Sequence, residues 1–313
     1  MPELRLVVIG ATGRIGRALQ RRVGCAALRG LARHAPVDSA TWADFVQADR
    51  RDHAALLRLL DGADVIIDLC AFEAPDSDAL VRAWAACARR PRLLILASSL
   101  AERSPARWAT PIDPQIGLAH EPPPSDAYGL GKRAARTSAE TGLSALGAHV
   151  ITLLLPQVLA TDDRDARERR YLDDAQRLGH AQLAGDGQQR PCVITADDAA
   201  TVMVALAGDA ATATSVAAPI ERFQVAPPVQ PRLDTLVAAL LTGAGLPTQR
   251  RPHPDADWRG PHSGADELVD GTRLRQRLAA SMQVAPQWSD LLRAHGELGR
   301  RLAAATHQAL QAR

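Results

Sequence analysis

A glycine-rich turn near the start of the chain constrains its fold most. Gly10, Gly13 and Gly16 follow an apolar run at residues 4–9 that predicts a buried strand, and residues 14–23 predict a helix. Glycines at this spacing permit a tight turn and a close approach of backbone to a pyrophosphate, while the helix N-terminus offers free N–H groups. Because the turn joins a buried strand to a helix, the motif predicts a dinucleotide site rather than an ordinary turn. Its expected contacts are Gly10, Thr12, Gly13, Arg14, Ile15 and Gly16.

Strands and helices alternate through the first half of the chain. Further apolar strands are predicted at residues 27–33, 64–69, 93–97 and 150–155. Between them, helices are predicted at residues 53–60, at 79–89 behind a cap at Asp76, and around Tyr128 and Lys132. Continuous apolar strands that alternate with helices indicate a parallel sheet covered on both faces. The expected fold class is therefore α/β, a Rossmann-type doubly wound parallel sheet.

The second half of the chain is less regular. Helices are predicted at residues 164–178, 197–206, 272–280 and 289–304, with Pro-rich joints between several of them. A chain of 313 residues suits one large domain with a smaller lobe. We expect a dinucleotide-binding domain from residues 1–160, to which 190–227 return, and a smaller C-terminal substrate-binding lobe from 161–189 and 228–313.

Composition narrows the class of partner and compartment. The formal net charge of +2 gives no electrostatic reason to expect a nucleic acid or a membrane as a partner. The four cysteines are far apart, so neither a disulfide framework nor a zinc site is expected, and no other metal cluster is indicated. No apolar run is long enough to span a membrane. A cytoplasmic protein with a small-molecule substrate fits these features best.

The residue that ends the second predicted strand bears on the choice of cofactor. An NAD site usually has an acidic residue there, which binds the ribose hydroxyls. This strand ends in Arg33 instead. Because a guanidinium suits a 2′-phosphate, Arg33 favours NADP(H) over NAD, the alternative being a solvated arginine in an arginine-rich chain.

One lysine stands out by composition. Lys132 is the only lysine of the chain beside 36 arginines, and it follows one of the two tyrosines by four residues, in Tyr128-Gly-Leu-Gly-Lys132. Residues four apart share a helix face. A cation about 4 Å from a phenol could contribute roughly 4 kcal/mol, which corresponds to a lowering of its pKa by at most about three pH units, with desolvation opposing it. The pair therefore predicts a tyrosine that exchanges protons with a substrate hydroxyl.

Together these motifs resemble the extended short-chain dehydrogenase/reductases of the NAD-dependent epimerase/dehydratase family, over nearly the whole chain. Gln47-Ala48-Asp49 is similar to the family's adenine-contacting segment, with Asp49 as its acid. Leu69, Cys70 and Ala71 resemble the segment along the nicotinamide ribose, and Pro156 resembles the proline beside the nicotinamide. Further similarities are Ala97-Ser98-Ser99, Gly185-Asp186-Gly187 and Asp197-Asp198.

The resemblance implies roles for three catalytic residues. Tyr128 is expected to be the general acid/base, and Lys132 to bind the nicotinamide ribose and lower the tyrosine pKa. Ser99 is expected to orient the substrate oxygen, with Ser98 as the alternative. Hydride would pass between the nicotinamide and the carbon that bears this oxygen.

The chain also departs from the family pattern. Members that act on nucleotide sugars often have an arginine before the proline and an asparagine after it, whereas Leu155 precedes Pro156 here and the chain has no asparagine. Arg190 is a candidate for binding a diphosphate, with a solvated role as the alternative. Arg167, Arg169 and Arg170 are interpreted as a charged helix face.

Three functions remain open at this point. They are an NADP(H)-dependent reductase or dehydrogenase of a small carbonyl or alcohol, an epimerase or dehydratase that retains its cofactor, and a non-enzymatic NADP-sensing protein. The substrate pocket is expected between the Pro-rich loop after residue 104, the 161–184 segment and the C-terminal lobe. The family resemblance also suggests a homodimer formed through two helices of each subunit.

Overall fold

A computed structural model describes residues 4–24, 28–36, 42–103, 112–115, 117–163, 166–212, 220–253, 262, 266–267, 269–281 and 287–311. The strands are β1 (Leu6–Ile9), β2 (Leu28–Ala32), β3 (Asp44–Gln47), β4 (Val65–Asp68), β5 (Leu93–Ser99), β6 (His149–Leu155), β7 (Gln157–Leu159), β8 (Ala181–Leu183), β9 (Val193–Thr195), β10 (Ile220–Gln224) and β11 (Arg250–Pro252). The helices are α1 (Arg14–Val23), α2 (His53–Leu60), α3 (Ala74–Ala86), α4 (Ala127–Ala145), α5 (Arg169–Leu178), α6 (Ala196–Thr212), α7 (Leu233–Gly243), α8 (Thr272–Ser281) and α9 (Leu291–Gln311).

Seven parallel strands form the central sheet, in the order β3-β2-β1-β4-β5-β6-β10. Val8 pairs with Gly30 of β2 on one side and with Ile67 of β4 on the other. The order of the strands therefore reverses between β1 and β4, and a ligand crevice forms beside the carboxyl ends of strands at such a switch point. The predicted doubly wound parallel sheet is confirmed.

Two hydrophobic cores cover the two faces of the sheet. Alternate residues of a strand point to opposite faces, so Val8 packs with Leu19 of α1 and Met203 of α6. Val7 faces the other way, into the core that includes Leu80 of α3. The apolar strands predicted from the sequence are thus buried because helices cover both faces, and this burial holds the carboxyl ends of β1, β4, β5 and β6 in register.

A third core lies in the second half of the chain. Tyr171 of α5, Leu240 of α7 and Leu298 of α9 are fully buried in it. Helices α7 and α9 approach closely, because a Cβ on Gly243 would overlap the carbonyl of Gly296. This core lies in the segments that we expect to form the substrate-binding lobe, while the division into two lobes stays a prediction.

Several elements differ from those predicted. Helix α3 begins at Ala74, five residues earlier than expected, and Glu73 is its N-cap while Asp76 occupies the third position of a capping box. The prediction of Asp76 as the cap was therefore wrong. Helix α5 begins at Arg169 rather than at residue 164, which lies outside the described residues. Strand β3 and helix α7 were missed, since one is a short, partly exposed edge strand and the other follows a Pro-rich joint.

No helix in the described part of the chain is both long and apolar enough to cross a membrane.

Candidate active site

The glycine turn has the geometry that the sequence predicts. Gly10 has a φ of +88°, which glycine adopts without steric cost. A Cβ on Gly16 would overlap the carbonyl oxygen of Ala11, so the first turn of α1 packs directly on the loop. Gly13 is the N-cap of α1 and provides no side chain to cap it, and the first turn carries no acidic residue. The N–H groups of this turn are therefore available to an anion.

A cavity of about 800 Å³ opens beside this turn, at the switch point of the sheet. It brings together nine of the residues predicted to bind a cofactor, from β1 and α1, the end of β2, the end of β3 and the end of β4. They are Gly10, Thr12, Gly13, Arg14, Ile15, Arg33, Asp49, Leu69 and Cys70. Four others lie outside it: Gly16 packs against the loop, Ala71 is buried, and Lys132 and Pro156 line a neighbouring cavity. The cavity has the size of a site for a small organic ligand, for which about 300–1,000 Å³ is usual.

Two arginines in this cavity are held by carboxylates that sequence reasoning missed. Arg50 donates two hydrogen bonds to Asp68, at 2.7 and 2.9 Å, and both side chains are buried. Arg51 donates to Asp76 at 2.7 Å and to Glu73 at 3.1 Å. These pairs connect the loop after β3 to the end of β4 and the start of α3, so they shape the floor of the cavity.

Cys70 lies beside this floor as a free thiol. Burial raises its pKa to about 11, so it stays protonated at neutral pH. A metal site is not indicated here: the described residues contain no cluster of three or more His, Cys, Asp or Glu side chains placed to hold an ion.

A second cavity of about 600 Å³ adjoins the first and contains the predicted catalytic residues. Ser99, Tyr128, Lys132 and Pro156 all line it. The two cavities adjoin because they share part of their lining, from Arg14 and Ile15 on one side to Leu69 and Phe72 on the other. A ligand that lies along the first cavity therefore extends to the side chains of the second.

Helix α4 carries Tyr128 and Lys132 in its first two turns. Asp126 caps the helix by accepting a hydrogen bond from the N–H of Gly129 at 2.8 Å. The glycines between the pair allow close packing, because a Cβ on Gly129 would overlap the carbonyl of Ala101 and one on Gly131 that of Phe72. Glycine usually weakens a helix, and here it lets α4 lie against the loops that follow β4 and β5.

Lys132 is buried and anchored to the ends of two strands. Its Nζ donates to the carbonyl of Ala71 at 2.9 Å and to that of Ala97 at 3.0 Å, and it lies 4.7 Å from the ring centroid of Phe72. Burial lowers its pKa, and the negative charge of Asp68 opposes that lowering. The ammonium therefore lies where α4 meets β5 and the segment after β4, and Lys132 lines the second cavity.

Tyr128 and Ser99 line the second cavity together, and the Tyr128 side chain is half exposed there. Desolvation by the surrounding protein raises the pKa of Tyr128, while the Ser99 side chain and the charge of Arg167 act to lower it. The net direction is opposite to the lowering expected from Lys132. The main contributions to this pKa do not include Lys132, whose ammonium is directed to two backbone carbonyls.

Ser98 and Ser99 have different surroundings. The hydroxyl of Ser98 donates to the carboxylate of Glu102, which is fully buried. Both serines line the second cavity, but among the described residues no carboxylate engages the hydroxyl of Ser99, which accepts a hydrogen bond from the N–H of Ala101 at 3.2 Å. Of the two serines that the sequence left open, Ser99 is the one whose side chain acts on the pKa of Tyr128.

Glu102 belongs to a buried ion-pair network that was not predicted. Arg136 of α4 donates to Glu102 at 2.6 Å and to Glu140 at 2.7 Å. Arg222 of the edge strand β10 donates to Glu140 at 2.9 Å through both Nε and Nη2. We call these four residues the α4 network. It connects the turn that follows Ser99 to the helix that carries Tyr128.

The far wall of the second cavity comes from the second half of the chain. Gln157, Arg167, Glu168, His262 and Glu267 line it. The Gln157 amide donates to Glu168 at 2.6 Å, and burial raises the pKa of Glu168. Burial also lowers the pKa of His262 to about 3, so this imidazole is neutral. The 161–184 segment and the C-terminal residues were expected here, whereas residues 104–111 of the Pro-rich loop lie outside the described residues.

The family of the chain follows from comparison of its sequence. Residues 6–217 match the model of the NAD dependent epimerase/dehydratase family. This chain belongs to that family. The predicted resemblance is thereby confirmed, and with it the prediction of an NAD(P)-dependent enzyme of the short-chain dehydrogenase/reductase type. No curated protein sequence matches the chain at a significant level.

Solved structures share its fold. UDP-glucose-4-epimerase from Stenotrophomonas maltophila, with bound NAD and formylated UDP-arabinopyranose, is 16% identical with a TM-score of 0.73, over 98% of this chain and 99% of that one. UDP-N-acetylglucosamine 4-epimerase from Bacillus cereus is 13% identical with a TM-score of 0.72, over 96% and 99%. The enzyme of that name from Methanobrevibacter ruminantium M1, in complex with UDP-N-acetylmuramic acid, is 15% identical with a TM-score of 0.68, over 99% and 100%. At these identities the likeness concerns the fold.

Proposed function

We propose that this protein transfers hydride to or from a carbonyl or hydroxyl carbon of a small metabolite, with Tyr128, Lys132 and Ser99 as its catalytic residues. The observation that carries the proposal is that Tyr128, Ser99 and Lys132 line one cavity, which adjoins the cavity beside the glycine turn. A nicotinamide dinucleotide would supply or accept the hydride when bound.

The residues of the first cavity fit such a cofactor. The glycine turn and the first turn of α1 would hold the pyrophosphate, and Asp49 would contact the adenine end. Leu69, Cys70 and Ala71 would line the nicotinamide ribose, and Pro156 would lie beside the nicotinamide. Support comes from the overlap a Cβ on Gly16 would cause and from the uncapped N-terminus of α1, which suits an anion.

Each catalytic side chain has one task in this proposal. The Ser99 hydroxyl hydrogen-bonds the substrate oxygen and stabilises the charge that develops on it. Tyr128 gives its phenolic proton to that oxygen during reduction and takes a proton from it during oxidation. Lys132, fixed by the Ala71 and Ala97 carbonyls, would hold the nicotinamide ribose.

For the cofactor itself, we propose NADP(H). Arg33 is exposed at the end of β2, where it lines the first cavity, and within the described residues no carboxylate lies within ion-pair distance of it. A free guanidinium suits the 2′-phosphate. The family description and the bound NAD of structural neighbours favour NAD instead, so the ratio of the two affinities is the deciding quantity.

An epimerase or dehydratase is the second candidate, and the named epimerases that share the fold favour it. Such an enzyme oxidises and re-reduces one substrate and keeps its cofactor. It should retain nicotinamide through purification and show no net turnover of added cofactor. Stoichiometric consumption of NADPH with a carbonyl compound would establish the reductase, whereas cofactor release only on denaturation, with no consumption, would establish the second candidate.

A non-enzymatic NADP sensor would have no use for the acid–base pair, so the presence of Tyr128, Lys132 and Ser99 in one cavity weighs against that third hypothesis. We also propose that the enzyme is a cytoplasmic homodimer. Its second subunit would dock on the groove between α3 and α4, where Val81 and the exposed Leu130 form part of the wall. Light scattering coupled to size-exclusion chromatography tests the dimer.

A further inference from the structure

Five arginines line the two cavities, and they fall into two groups. Three are neutralised by carboxylates of the chain itself: Arg14 by Asp163, Arg50 by Asp68, and Arg51 by Asp76 and Glu73. For the other two, Arg33 and Arg167, no carboxylate within the described residues lies within ion-pair distance. Arg33 lies in the first cavity and Arg167 in the second, so each cavity contains one arginine that is unpaired within the described residues.

Arg167 differs from the arginines beside it. It is exposed, precedes α5 and lines the second cavity with Tyr128 and Ser99. Its charge is near enough to act on the pKa of Tyr128. Arg169 instead donates to Thr306 at 3.1 Å, and Arg170 lines neither cavity. The interpretation of these three residues as one charged helix face was therefore wrong for Arg167.

The other charged groups of the second cavity are already engaged. Lys132 donates to two carbonyls, Arg14 pairs with Asp163, and His262 is neutral. Of the acids, Glu267 accepts the N–H of Cys192 at 2.9 Å, and Glu168 accepts the Gln157 amide. Among the described residues of this cavity, Arg167 is thus the cation with no partner of its own.

We propose that Arg167 binds an oxyanion of the substrate, a carboxylate or a phosphate, at the end of the molecule away from the carbon that reacts at Tyr128 and Ser99. This rests on the proposed function. A guanidinium binds either oxyanion through two parallel hydrogen bonds, which fixes orientation as well as affinity. A cofactor phosphate is not the partner, because Arg167 lies outside the cavity that contains the glycine turn. The substrate class is therefore a small anionic carbonyl or hydroxyl compound.

The test measures oxyanion binding directly by calorimetry, on full-length protein saturated with NADPH so that the glycine turn is filled. Inorganic phosphate and malonate are the two probes, since one represents a phosphorylated substrate and the other a carboxylate. Wild type is compared with Arg167→Met and with the matched control Arg170→Met, which removes the same charge three residues away. Coincident thermal unfolding curves show that both variants are folded.

The proposal expects at least one probe to bind wild type and Arg170→Met equally and to bind Arg167→Met at least about tenfold more weakly. The tighter of the two probes identifies the oxyanion. Equal affinity of both probes for wild type and Arg167→Met, or no binding to either, overturns the proposal. A failure of the proposed function would appear separately, as wild type that does not bind a nicotinamide cofactor, and the difference between the two variants would still report on Arg167.

Discussion

The charged residues along α4 are paired with other groups of the protein, whereas two arginines that line the cavities are not paired within the described residues. Lys132, Arg136 and Glu140 lie four residues apart on one buried face of α4, and each is held by other groups of the protein. Arg33 and Arg167 are exposed at the cavities, with no ion pair to the described residues. Burying an unpaired charge is costly, so the fold must supply partners for the first group, whereas water can solvate the second until a ligand arrives.

The two groups should therefore affect different properties: the paired charges affect the stability of the fold, and the unpaired arginines affect the affinity for ligands. Removing a charge of the α4 network should lower the free energy of unfolding, because the partners of that charge stay buried without it. Removing Arg33 or Arg167 should leave the free energy of unfolding nearly unchanged and alter only what binds.

The largest effect on stability is expected from Arg136→Met. It leaves Glu102 and Glu140 buried without their shared guanidinium, and breaking a buried pair costs about 3–5 kcal/mol. Urea unfolding gives the value. Arg33→Met is the matched control, for which a change within about 0.5 kcal/mol is expected. Equal effects of the two substitutions would show that the comparison between the two groups is false.

Lys132→Arg should have the largest effect on activity short of removing the acid–base group. The ammonium occupies a buried corner between two carbonyls that a wide planar guanidinium does not fit. Activity should fall at least about a hundredfold and cofactor binding should weaken. Steady-state rates and cofactor titration measure both, with Arg22→Lys at an exposed position of α1 as the control. Full activity of Lys132→Arg would show that this position does not require a lysine.

A smaller effect is expected from Arg33→Ser. The dissociation constant for NADPH should rise about tenfold, while that for NADH should not change, since one charge-assisted contact to the 2′-phosphate is lost. Fluorescence titration of both cofactors gives the ratio. Tighter binding of NADH than NADPH by wild type would assign NAD as the cofactor and Arg33 as a solvated residue.

Local patterns allowed the sequence to predict part of the site. The glycine turn, the bounds of α1 and the shared face of Tyr128 and Lys132 depend on neighbours within a few residues, and all appear as expected. The family resemblance added Asp49 and Ser99, which line the cavities.

Contacts between distant segments could not be predicted. Arg50 is 18 residues from Asp68, Arg136 is 34 from Glu102, and Arg222 is 82 from Glu140. Such ion pairs leave no periodic pattern, and in a chain with 36 arginines every acid has many candidate partners. The raised pKa of Tyr128 escaped prediction for a similar reason, because the groups that act on it, such as Ser99 and Arg167, come from distant segments of the chain.

The most direct test of the account is single-turnover hydride transfer by Tyr128→Phe compared with wild type, with the true substrate and a saturating cofactor. The substitution removes one hydroxyl and keeps the ring, so cofactor affinity and the unfolding curve should stay unchanged. The account predicts a rate about 10²- to 10⁴-fold lower, the usual contribution of a general acid or base. A rate equal to that of wild type would contradict the assignment of Tyr128 as the acid–base group.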